Sequence, residues 1–345
     1  MNRGIVVAVV GIGMALPLLL WQPMPTQTRP YASTEQWSSN HAYTLTRMQT
    51  GVLWHDGFLE NPHTLQSPYT FNGSAPPDQR TLSWKPGMLG LAVTPHGRNQ
   101  HFIGFFAVTN ANFPSGALVQ VQMIPYPIAL HGTQTAEVLV AVQTANTGQT
   151  GDLNYIYASY VQESTVVPRI ALGVAHGYIR DAVKRQLYAV QQPRLLQTIR
   201  HATLTVQTTG SHVLRLWLGK KLLYDSTRLS LGIQSPFQVY LEVQAQGIPY
   251  TGFFHQLAIY RTQDVQLKGL PVGANVTLFE GHGKIVTSTV AEGGGVSLQL
   301  PINTLHVRGR LKIHDGSQNI IFNSVSLTGG DIFRLSHPLL AHAYP

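Results

Sequence analysis

From Tyr43 onward the chain repeats one pattern: short runs in which apolar and polar residues alternate, closed by Gly, Pro, Asn or Asp. Residues 118–124 (LVQVQMI), 137–144 (EVLVAVQT), 155–161, 201–206 (HATLTV), 213–218 (VLRLWL) and 238–244 (QVYLEVQ) all follow it. Successive side chains on a strand point to opposite faces, so a period of two buries one face and wets the other. Turn chemistry sits between the runs, at Asp56-Gly57, Thr209-Gly210, Gly219-Lys220, Gly281-His282-Gly283 and Asp315-Gly316. Strands at this spacing without helices between them predict a sandwich or barrel. Residues 181–191 (DAVKRQLYAVQ) carry two signals. Val183, Leu187 and Val190 have helical spacing behind a capping Asp181, whereas a strand could pair with 168–175. The strand is preferred, because a lone helix would need its own place to pack.

A boundary is expected near Thr262. Residues 252–260 (GFFHQLAIY) form a strongly apolar strand suited to closing a sheet, and six short runs follow within 265–327. They predict a small sandwich over 263–335, near the lower size limit for a domain. At the other end, Arg3 precedes an uncharged run over 5–21 (IVVAVVGIGMALPLLLW). That run lies between a signal-peptide core and the roughly 20 residues of a membrane span. The Arg would hold the N-terminus inside, so the rest is delivered outside. The expected division is 1–35 signal peptide or membrane anchor with linker, 36–262 large sandwich, 263–335 small sandwich and 336–345 tail. The expected location is extracellular or cell-surface, with a membrane contact through 5–21 if the leader is retained.

Charge narrows the partners. Charged residues are 11% of the chain, against roughly 25% in an ordinary soluble domain. A surface made of Gln, Thr, Ser, Asn and His suits an acidic exterior, where carboxylates would protonate. The 23 Lys and Arg outnumber 15 Asp and Glu, yet they are scattered. The groups Arg180, Lys184, Arg185 and Arg308, Arg310, Lys312 are not interleaved with aromatics. No nucleic-acid partner is expected. The absence of cysteine excludes disulfides and thiolate chemistry.

The order of signals over residues 43–260 resembles the concanavalin-A-like, laminin-G-type jelly rolls. The resemblance is carried by Trp54-His55-Asp56-Gly57-Phe58, Gly87-Met88-Leu89-Gly90-Leu91, Tyr155-Ile156-Tyr157-Ala158 and His201 to Val206. Leu216-Trp217-Leu218, Val239 to Val243 and Leu257 to Tyr260 continue it. The C-terminal unit resembles an immunoglobulin- or transthyretin-type sandwich. The implied fold class is all-β, a large jelly-roll sandwich plus a small C-terminal one, behind the N-terminal hydrophobic segment. Members of the jelly-roll class bind glycans, bind proteins or hydrolyse glycosidic bonds.

Catalytic motifs are scarce. Hydrolases of that class place two or three carboxylates on one strand, as in Glu-x-Asp-x-x-Glu, and no such run occurs here. Asp56 and Glu60 are separated by a turn glycine. No Gly-x-Ser-x-Gly elbow occurs, and the 15 His contain neither His-x-His nor His-x-x-x-His. No catalytic residue, metal or cofactor is assigned. Sugar rings stack apolar C–H faces on aromatics, while amides orient their hydroxyls. Tyr155 and Tyr157, on one side of a strand beside Asn154, meet that need. So do Tyr240 and Glu242, together on one face of QVYLEVQ, and the strand tryptophan Trp54. The expectation is a non-catalytic surface protein that binds a glycan or another cell-surface macromolecule. The alternatives are a secreted glycan-active hydrolase and a structural component of an envelope or filament. Asn72 and Asn275 head glycosylation sequons.

Overall fold

The computed structural model describes residues 35–58, 69–73, 75–113, 117–144, 154–176, 183–191, 194–208, 212–229, 237–281 and 283–336. The described chain begins with β1 (Gln36–Ser38) and β2 (Thr44–Gln49). Next come β3 (Val52–Asp56), β4 (Tyr69–Gly73), β5 (Arg80–Lys85), β6 (Met88–Val93), β7 (His101–Phe113), β8 (Ala117–Pro125) and β9 (Thr135–Thr144). They are followed by β10 (Asn154–Glu163), β11 (Val166–His176), β12 (Val183–Gln191) and a short helix α1 (Leu195–His201). The larger unit ends with β13 (Leu204–Thr208), β14 (Leu214–Leu218), β15 (Lys221–Ser226), β16 (Phe237–Gln246) and β17 (Tyr250–Tyr260). Then come β18 (Asp264–Lys268), β19 (Asn275–Glu280), β20 (Lys284–Val290), β21 (Gly295–Gln299), β22 (His306–His314), β23 (Asn319–Thr328) and β24 (Ile332–Ser336).

Two antiparallel sheets make the larger sandwich. One runs β12-β11-β10-β9-β16-β7-β4 and the other β15-β14-β13-β8-β17-β6-β5, with β3 also paired to β17. From β6 to β9 the chain crosses between the sheets at each step, and β16 and β17 insert into the middle of the seven-stranded and the eight-stranded sheet respectively. That winding is a jelly roll. Alternation fills the space between: Val239, Leu241, Val243 and Ala245 of β16 meet Phe254, Leu257 and Ile259 of β17 in one apolar cluster. Full burial of each such side chain contributes about 1.5–3 kcal/mol. The sheets approach closely at Gly252, where a Cβ would meet Val243 Cγ1 at 2.7 Å and Val138 Cγ2 at 2.8 Å. Only glycine fits there.

The smaller sandwich packs a β1-β2-β24-β18-β21 sheet against a β20-β19-β22-β23 sheet. Residues 36–49, grouped with the larger unit by their place in the chain, pair instead with β24. The described chain therefore passes first through the smaller sandwich, builds the larger one and returns. Asp331 fastens the crossing. It is wholly buried and accepts hydrogen bonds from Gly51 N at 2.6 Å and Thr328 N at 2.8 Å. Arg47 Nε lies 3.3 Å from it, and the Arg47 guanidinium sits over the Trp37 and Phe333 rings. Gly51 is pressed so tightly that a Cβ would lie 1.9 Å from Gly329 O.

Residues 183–191 are strand, paired with β11. The helix α1 gave no signal in the alternation. Its Ile199 enters the core, and the Thr198 hydroxyl donates back to the Arg194 carbonyl at 3.1 Å. Period two implied one wet face for β16, yet both its faces are buried from Phe237 to Ala245. The apolar segment 5–21 lies outside the described residues. Among the described residues no helix is long and apolar enough to cross a membrane.

Candidate functional site

The outer face of the seven-stranded sheet is built by β16 and its neighbours. Because the core takes the odd-numbered residues of β16, Gln238, Tyr240, Glu242 and Gln244 project from the other side. Register carries this face across the sheet. Gln238 opposes Gln143 of β9, which opposes Tyr155 of β10; Tyr240 opposes Ala141, which opposes Tyr157. Glu242 opposes Leu139, which opposes Ser159. In the next row Gln244 opposes Glu137, then Val161, then Arg169 of β11.

These groups are closed to solvent: Tyr155 is 5%, Tyr157 4%, Tyr240 8% and Glu242 4% exposed. Burial of that much polar surface demands partners. Gln143 Nε2 donates to the Tyr240 hydroxyl at 2.6 Å, and that hydroxyl donates to Gln238 Oε1 at 2.6 Å. Gln244 Nε2 donates to Glu242 Oε1. The Tyr155 and Tyr157 rings lie 6.3 Å apart, tilted by 55°. Burial pushes the Tyr155 hydroxyl far above its ordinary pKa, with Glu242 and Glu137 adding to the rise. Burial, followed by Glu137, lifts Tyr157 to about 12. Tyr240 rises through burial and then Glu242. All three phenols therefore stay protonated and can donate. One group has no protein partner: Ser159 Oγ is buried with no hydrogen bond in the described structure.

Four candidates, Tyr155, Tyr157, Tyr240 and Glu242, meet on this face. Asn154 begins the same strand, but its side chain lies outside what is described. Trp54 does not join them. It sits on β3 of the other sheet and packs on the sandwich core. Its strand position revealed nothing about which way the indole turned. The functional reading of the sequence missed Gln143, Ser159 and Glu137, although EVLVAVQT alternates Glu137, Leu139, Ala141 and Gln143 onto one side. What was missing was the pairing of β9 with β16. That pairing makes Glu137 and Glu242 diagonal neighbours, about 7–8 Å apart along the sheet. A salt bridge from Arg169 to Glu163 at 2.6 Å marks the charged end of the face. Glu60 lies outside the described residues, as does the side chain of Asp56. Among the described residues no three His, Asp or Glu side chains group to hold a metal.

No protein-family model matches the chain, and no curated protein matches it. Several solved structures do. The carbohydrate recognition domain of Emp46p in its potassium-bound form is 12% identical, with a TM-score of 0.38 over 60% of this chain and 95% of its own. A galectin-like-fold protein of unknown function from Bacillus subtilis is 11% identical, with a TM-score of 0.41 over 62% and 98%. A Bacillus licheniformis β-glucanase is 11% identical, with a TM-score of 0.41 over 61% and 99%.

Proposed function

We propose that the protein is an exported glycan-binding protein whose ligand is held on the outer face of the seven-stranded sheet, with the smaller sandwich as a spacer. The observation that carries this reading is the Ser159 hydroxyl, buried without a partner on the face that carries Tyr155, Tyr157 and Glu242. A buried polar atom left unpaired costs about 1–3 kcal/mol, a cost that a ligand hydroxyl would remove. Around it stand phenol donors, Gln amides and one carboxylate, the set that orients sugar hydroxyls, with aromatic faces for the ring. Because these groups are shielded, entry of a sugar must uncover them, and binding is slower than into an open cleft. Export rests on Arg3 and the apolar run over 5–21.

A second reading is glycan hydrolysis. It is favoured by Glu137 and Glu242 lying diagonally on one face, since glycosidases need two carboxyls about 5–10 Å apart. A glycan-array screen of the full chain, joined to a reducing-sugar assay, separates the two. The binding reading expects retention of a glycan without release of reducing ends, and loss of retention in Tyr240→Phe. Turnover abolished by Glu242→Gln would replace it with the hydrolase.

A further inference from the structure

The eight-stranded sheet turns its outer face to the smaller sandwich, and the two do not close completely. Leu300, Ile302 and Leu305 rest on that face beside Leu118, Ala258 and Tyr260. Gln120 Nε2 donates across the seam to Ile302 O at 2.7 Å. Beside this ridge lies an open cleft of about 400 Å³, inside the usual range of small-molecule sites, about 300–1,000 Å³. Both sandwiches wall it: Arg215, Trp217, Leu222 and Asp225 from the larger, Gln263 and Gln299 from the smaller.

We propose that this seam cleft is a second binding site, which takes an uncharged oligosaccharide and does not depend on the sheet face described above. Charge comes first. Arg215 Nε donates to Asp225 Oδ1 at 2.8 Å, so the two charges on the wall cancel. An anionic polymer meets no net attraction there, while a sugar hydroxyl can donate to the carboxylate and accept from the guanidinium. Both side chains are partly exposed, 34% and 43%, and are within reach of a ligand. Apolar surface comes next. Leu222 is 46% exposed and is paired in register with Trp217, giving a small patch for the C–H face of a pyranose. Trp217 lines the same cleft and brings an indole N–H, which can only donate. On the opposite wall Gln299 Nε2 points to Gln263 Oε1 at a long 3.5 Å, a weak contact that a ligand hydroxyl can replace. A wall of amides, one cancelled ion pair and an apolar patch suits a neutral, many-hydroxyl chain better than a lipid or a phosphate. The walls belong to different sandwiches, so binding also ties the two together.

Calorimetric titration of the full chain tests this with cellohexaose, laminarihexaose, maltohexaose and mannohexaose. The expected result is saturable binding of at least one neutral hexasaccharide. Leu222→Arg and Asp225→Ala weaken it at least tenfold, and Val272→Ala, at an exposed position outside the cleft lining, leaves it unchanged. Both seam positions are partly exposed, so these variants report binding even if Trp217→Phe, which removes the indole donor together with one ring of a buried side chain, fails to fold. Failure of every probe to bind overturns the proposal, as does binding indifferent to the seam variants or stronger for an acidic hexasaccharide. Binding lost in Glu242→Gln alone would instead assign that sugar to the seven-stranded sheet.

Discussion

The two outward faces of the larger sandwich carry the same kind of pattern and meet different fates. The seven-stranded sheet turns out Gln143, Tyr155, Tyr157, Gln238, Tyr240, Glu242 and Gln244. The eight-stranded sheet turns out Gln120, Gln122, Gln207, Trp217, Gln256 and Tyr260. Both are rows of amides and aromatics at period two. On the first, the amides bond within the face, Gln143 to Tyr240 to Gln238, and the row is sealed. On the second, Gln120 bonds to Thr205 and Gln256 to His55 within the face, but Gln120 also reaches Ile302 of the smaller sandwich and Gln122 the Arg200 carbonyl, and clefts remain between the sandwiches. Alternation thus tells which residues leave the core. What covers them is decided by partners distant in sequence.

The largest expected effect comes from cutting the tie that holds the smaller sandwich against the second face. Asp331→Ala removes the acceptor of two buried backbone N–H groups and the partner of Arg47. Breaking a buried pair from one side costs about 3–5 kcal/mol. Urea unfolding should then show a separate early transition for the smaller sandwich, while the seven-stranded sheet unfolds near its original midpoint. A single unshifted transition would mean that the two faces do not differ in how they are held.

Next comes the sealed face itself. Tyr240→Phe deletes one hydroxyl and strands both Gln143 Nε2 and Gln238 Oε1, at a cost of about 1–3 kcal/mol. Leu222→Ala, on the open face, should stay within about 0.5 kcal/mol. Equal losses in thermal unfolding would remove the distinction between sealed and open.

How much of this could be read from sequence varies with the distance between partners. Strands with one face in the core, such as β8 and β14, declared themselves through alternation, and β12 followed from the cost of packing a lone helix. The grouping of Tyr240 with Glu242, and of Tyr155 with Tyr157, needed only period two. Bringing the two groups onto one surface required β9 between them: it pairs with the neighbouring β10, but also with β16 about a hundred residues away, a contact that no local pattern encodes. Trp54 shows the converse. Its strand was legible, but its side belongs to the pairing of β3 with β17, which turns the indole to the core. The return of β2 to β24 joins opposite ends of the described chain, and it rests on distant partners: the buried Asp331 with Gly51 and Gly329, Arg47 over Trp37 and Phe333, and Leu45 in the smaller core.

Smaller still is the effect of Ser159→Ala. Its hydroxyl is buried without a partner, so its removal should leave stability unchanged or raise it by up to about 1 kcal/mol. Under the glycan reading the same change weakens binding on the seven-stranded sheet and leaves the seam cleft untouched. Paired thermal melts and titrations check both signs. A clear loss of stability would show that the hydroxyl already has its partner.

The smallest expected effect is a difference in pH response between the two sandwiches. In the smaller one, burial raises Asp331 and Asp264 above the ordinary value of 3.8. Each binds its proton more tightly folded than unfolded. Their contribution to stability is therefore complete below pH 3.8 and is lost as pH rises through the raised values. In the larger one, the hydrogen bond from Arg169 lowers Glu163 below 4.5. Its contribution is present above pH 4.5 and is lost as pH falls through the lowered value. Between pH 7 and pH 4.5 the smaller sandwich should hold or gain stability while the larger one scarcely changes, and Asp331→Asn should flatten the slope of the former. Hydrogen exchange of the β18 and β24 amides across that range reads the smaller sandwich alone. Protection that falls steadily from pH 7 to pH 4.5, after correction for intrinsic exchange, would reverse the assigned sign and remove the basis for expecting tolerance of an acidic exterior.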